Sequence, residues 1–202
     1  MLAAKAALLS GDVEAAGKAL QGHNDGNFED GNDSQFLEVK ALEDRVGQAF
    51  ADLQKAKKIA EEPGNDAEVA RLIHEAASKY PELPQMPLIV DSAEEGVAFV
   101  NKDYDRFLQL TEKDWDTLRT SSTAAALSSA LACKYASTGD STYRQRSEDM
   151  LAKAKELSAD DKDAAAEFQE YAERIRYRLE SRQIIDKWEY DKKFRQGKNA
   201  AK

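Results

Sequence analysis

A single cysteine, Cys133, occurs in the 202 residues, so the fold cannot rest on an intrachain disulfide. Proline and glycine are also scarce, at four and ten, too few for an architecture of many tight turns. The two histidines, His23 and His74, are far apart and offer little for imidazole catalysis or metal ligation. No apolar run approaches the ~18 residues that a membrane span needs. The opening MLAAKAALLSGD is interrupted by Lys5 and continues as Gly11-Asp12 where a signal-peptide cleavage site would stand. The first helix, 2–9, begins without a capping residue, as in a segment taken from a longer protein, and a native start is the alternative. These absences read as a soluble, cytoplasmic chain, either in a reducing setting or without need of disulfide staples.

The composition that remains, 42% hydrophobic and 33% charged, is that of a globular protein. The net charge of −9 gives the whole molecule a field that repels nucleic acid and anionic lipid.

The chain is organised around 123–157, whose two arms, rich in Ala, Leu and Lys, meet at Thr138-Gly139-Asp140. Glycine is free to take positive φ there and the aspartate to cap the following helix, which predicts a helical hairpin. Cys133, among Ala, Ser and Leu, reads as a buried structural thiol.

Ahead of it, a second helix is expected at 13–20. The loop at 23–33 is crowded with Asn, Asp and Gly, but from Asp25 the sixth place is Asp30 and the twelfth Phe36, so it fails the calcium-loop pattern. Ser34 opens a helix to about Asp44, and another is expected over 46–60 with Phe50, Leu53, Ala56 and Ile59 on one face. Pro63-Gly64-Asn65-Asp66 ends it and leads to 67–80, with Val69, Ile73, Ala76 and Tyr80 on one face and His74 beside it at the core or its boundary. Pro81, Pro84 and Pro87 then suggest a rigid polyproline crossover. Ser92 to Glu95 reads as a capping box for a helix bearing Val97, Val100, Tyr104, Phe107 and Thr111. Thr111 to Asp114 looks like a further start, leading to Trp115 and Leu118, and Thr120 to Thr123 like a break. After the hairpin, Asp161 caps a helix from Lys162 to about Arg182 with the stripe Phe168, Tyr171, Ile175 and Leu179. The expected domains are 1–80, a crossover at 81–91, a second helical lobe at 92–182 and a basic tail at 183–202.

Three second-arm helices share a small residue, Leu four later and another residue three beyond: Ala16/Leu20/His23, Ala49/Leu53/Ala56 and Ser147/Leu151/Ala154. Their registers differ by 33 and 98 residues, close to one and three periods of about 34. In this the chain resembles tetratricopeptide repeat proteins over about half its length, with Gly11-Asp12, Gly47 and Gly139-Asp140 in the place of the inter-helix turns. The stretch 81–120 lacks the signature. The resemblance implies an all-α fold of stacked antiparallel helical hairpins, an irregular α-solenoid, that binds other proteins in a groove.

Residues 179–193 are similar to short C-terminal motifs of bacterial proteins in which Ile-Ile precedes a capped helix bearing Glu-Tyr, which implies an oligomerisation or docking tail. Charge also reverses there: 174–202 carries ten Lys and Arg against four Asp and Glu, +6, whereas the first 173 residues stand at 19 against 34, −15. Basic and aromatic residues interleaved in this way suit anionic headgroups or nucleic acid, but the preferred reading is an amphipathic helix with a solvated basic face leaning on its own acidic body.

The expected function is a non-enzymatic protein–protein interaction scaffold, with no catalytic constellation, cofactor or metal. The alternative is an oligomerisation or docking module of a larger chain, membrane-associated or not, acting through its basic tail. Candidate partner-binding residues are Lys5, Glu38 and Lys134 on first-arm helices, and Arg174, Arg178, Arg182, Ile184, Ile185, Trp188 and Tyr190 near the C-terminus. The expected partner is a protein; nucleic acid is disfavoured, membrane contact is confined to the tail, and self-association stays open.

Overall fold

The computed structural model describes residues 34–81, 83 and 86–195, with the backbone alone for 34–40 and 43. The expected helices at 2–9 and 13–20, the loop at 23–33, Lys5, the side chain of Glu38 and the residues beyond Arg195 lie outside what is described. Every regular element among the described residues is helical: α1 (Ser34–Ile59), α2 (Asp66–Lys79), α3 (Met86–Val100), α4 (Tyr104–Thr117), α5 (Ser121–Thr138), α6 (Ser141–Leu157), α7 (Lys162–Ser181) and α8 (Lys187–Phe194). Two compact units meet within α3, at Ala93/Glu94.

In the first unit α1 packs on α2 around Val46, Ala49, Ala76, Tyr80 and Met86. α1 runs unbroken where two helices were expected. Its middle holds no proline, and Gly47 lies inside the helix with nothing within 4 Å of where a Cβ would stand, so it is not an inter-helix turn. Val46, Ala49 and Ala56 are buried, whereas Phe50, about a quarter turn from that stripe, is 45% exposed. His74 is exposed, not at the core. Gly64 turns the chain at φ +80 between α1 and α2. The crossover expected at 81–91 is helical from Met86 onward, because Pro87 falls in the first turn, where its missing N–H costs no intrahelical bond. Ser92 is accordingly inside α3 and caps nothing.

In the second unit, the helix expected to run through Val100 and Phe107 is broken. Lys102 turns at φ +59 and the Asp103 carboxylate accepts the Arg106 N–H at 3.0 Å to start α4. Thr111 lies within α4 and donates to the Phe107 and Leu108 carbonyls instead of opening a helix. The expected break at Thr120 is an N-cap: the Thr120 hydroxyl accepts the Thr123 N–H at 3.3 Å and the Thr123 hydroxyl accepts the Thr120 N–H at 3.1 Å.

α5 is the centre of this unit, packed against α4, α6 and α7 and buried on nearly every side. Its small residues make this close approach feasible. Ala124, Ala130 and Ala132 are fully buried, and so are Ser147 and Ala154 on α6. The buried hydroxyls find carbonyl acceptors across the seam: Ser128 donates to Ser147 at 2.7 Å, Ser147 to Ser128 at 2.8 Å and Ser121 to Ala154 at 2.8 Å. The hairpin turn forms as expected, with Gly139 at φ +79 and the Asp140 carboxylate accepting the Thr142 N–H at 2.9 Å, a bond that holds its carboxyl below the usual value. Phe168, Ile175 and Leu179 of α7 close the core, with Tyr171 partly buried beside them.

Candidate partner-binding surfaces

Three arginines recur every fourth residue, two in α7 and the third at its C-cap, and each lies over an aromatic ring: Arg174 over Tyr171 at 5.0 Å, Arg178 over Phe99 at 5.0 Å and Arg182 over Tyr135 at 5.6 Å. Arg174 and Arg178 are 9% and 5% exposed, which takes both off the surface. Burial holds the Arg174 guanidinium below its usual value. Arg178 donates to the Ser129 hydroxyl at 2.5 Å and to the Ile185 carbonyl at 3.1 Å, so it ties the segment after α7 to α5. Exposed Arg182 reaches back to the Ala136 carbonyl at 3.4 Å and fills the space beside Gly139, where a Cβ would stand 2.9 Å from its Nη2.

Ile184 packs on the cluster of Ala98, Phe107, Ala130 and Cys133, so the segment after α7 folds back on its own unit. Cys133 is wholly buried, and burial pushes its thiol pKa up against the opposing effect of Arg178. Lys134 is largely spent inside the unit, its side chain 12% exposed and its ammonium 2.7 Å from Asp105.

Asp186 caps α8 and accepts the Glu189 N–H at 2.7 Å, while Glu189 reaches back to the Asp186 N–H. One side of α8 joins α7 through rings, Tyr190 and Phe194 against Tyr177 at 5.9 and 5.3 Å. Lys193 donates to the Tyr177 hydroxyl at 2.7 Å, which lowers that phenol's pKa. Arg195 binds Glu173 at 2.8 Å. As far as it is described the tail thus rests on α7 through rings and the Arg195–Glu173 pair, and it leaves Trp188 and Phe194 37% and 41% exposed, with Lys187 and Lys192 alongside.

A cleft that the sequence does not announce lies between α4 and α6. Glu112, Trp115 and Asp116 come from α4, Arg146, Asp149 and Met150 from α6, and Leu127 of α5 forms part of its lining, enclosing about 420 Å³. The i, i+4 carboxylates of α4 are legible as a helix face, but Asp149 joins them only through the packing of both helices on α5. A second cleft of about 350 Å³ lies between the start of α5 and α7, lined in part by Arg119, Leu157, Phe168 and Tyr171.

Among the described residues no group of three or more His, Cys, Asp or Glu is placed to hold a metal ion, and no helix is long and apolar enough to cross a membrane. No protein-family model, curated protein or solved structure matches the chain.

Proposed function

We propose that this chain is a non-enzymatic protein–protein interaction scaffold of helical hairpins in the manner of tetratricopeptide arrays. The observation that carries the reading is the division of labour in the second unit. α5 is consumed by packing through small residues, while α4 and α6 turn polar, aromatic and charged side chains into an open cleft. A rigid helical frame with exposed side-chain variety suits recognition. The alternative, docking or self-association through the tail, is favoured by exposed Trp188 and Phe194 beside lysines.

A photo-crosslinking amino acid placed in turn at Gln145 on α6 and at Trp188 on α8 separates the two readings. Cross-links to other proteins from position 145 support the scaffold, and cross-links to a second copy from position 188 support the alternative. Cross-linking to no protein from either position overturns both.

A further inference from the structure

We infer that the cleft between α4 and α6 is the docking site for a cationic peptide segment of a partner protein, an assignment that rests on the scaffold reading above. The rim carries three carboxylates, Glu112, Asp116 and Asp149, against the guanidinium of Arg146 in the lining and that of Arg119 beside Trp115. Arg146 is committed to Glu112 at 2.8 Å, but both side chains are nearly half exposed, and such a pair exchanges easily for another cation. Asp149 accepts the Gln145 amide at 2.9 Å, and Asp116 has Arg119 at 3.8 Å. Both carboxylates are thus exposed at the mouth, the Asp116 side chain at 76%.

Trp115 and Met150 add the apolar element. The molecule shows what the indole accepts, because the Arg119 guanidinium stands 5.2 Å over the Trp115 ring while its side chain remains 67% exposed. An arriving arginine or lysine would lay its aliphatic stem along Trp115 and Met150 and place its charged head among the carboxylates. An anionic segment meets like charge at the rim, and an uncharged apolar one would strip water from the carboxylates without pairing them.

The test uses the full chain and three fluorescein-labelled ten-residue peptides in which leucine alternates with arginine, glutamine or glutamate, followed by fluorescence anisotropy. The arginine peptide is expected to bind the parent and to weaken at higher salt. It is expected to bind Asp116→Asn/Asp149→Asn at least about fivefold less tightly. The charge-matched variant Asp160→Asn/Glu180→Gln, altered at exposed positions outside the cleft, should bind like the parent. Equal weakening in both variants would show attraction by net charge alone and overturn the assignment. Binding of only the glutamine or glutamate peptide overturns the cationic cleft yet leaves the scaffold reading intact. Failure of the arginine peptide to bind the parent overturns the cleft, while the scaffold itself stands or falls on the cross-linking.

Discussion

Arg178 is the position where removing a side chain tells most about the second unit. Its guanidinium is held by the Ser129 hydroxyl and the Ile185 carbonyl and lies over Phe99, all neutral groups. Hydrogen bonds from a charged donor contribute about 1.5–3 kcal/mol each, and taking the cation out of water costs several kcal/mol, so the two nearly cancel. What then dominates is volume, because the aliphatic stem belongs to a residue that is only 5% exposed. Arg178→Met keeps most of that stem and should lie within about 1 kcal/mol of the parent. Arg178→Ala leaves a cavity and should cost about 2–4 kcal/mol. For a unit of this size each kcal/mol moves the midpoint by roughly 3–6 °C, so the alanine chain should melt roughly 6–24 °C lower. Calorimetric melts of the full chain measure both. If methionine falls as far as alanine, the polar bonds rather than the packed stem hold the segment after α7, and the reasoning is refuted.

Two further outcomes follow from the seam and the buried thiol. Ala154→Leu forces a larger side chain into the fully buried contact of α6 with α5 and should destabilise by about 1–3 kcal/mol in urea titrations, whereas Ala152→Leu on the exposed face should stay within about 0.5 kcal/mol. Burial raises the pKa of Cys133, so the folded chain keeps its proton where the unfolded chain releases it. Stability should therefore be unaffected by this group below the ordinary thiol value of about 8.5 and decline as pH rises above it. Melts of the parent and of Cys133→Ala across pH 7–10 should show that decline shrink in the variant.

The parts of the fold legible in sequence are those fixed by neighbours in the chain. Gly139-Asp140 at the hairpin turn, Asp161 ahead of α7 and the Ser147/Leu151/Ala154 seam each express a local preference that the packing reinforces. Where packing decides, the sequence misleads. α1 continues through Gly47 because contacts with α2 reward the longer helix. The chain breaks at Lys102, a residue with no special liking for positive φ. Arg174 and Arg178 look like surface cations until Tyr171 and Phe99 are seen to receive them. The cleft shows the same limit, since its carboxylates come from 112, 116 and 149 and no spacing rule joins them.

The burial of α5 also bears on how this chain can diverge. A helix whose alanines and serines fit between three neighbours has almost no position that is free to drift, yet it offers a partner almost no surface. Constancy along 121–138 among relatives would therefore record the demands of assembly within one molecule. Specialisation for different partners would be written on α4 and α6, where Glu112, Asp116 and Asp149 can change charge without disturbing the frame that presents them.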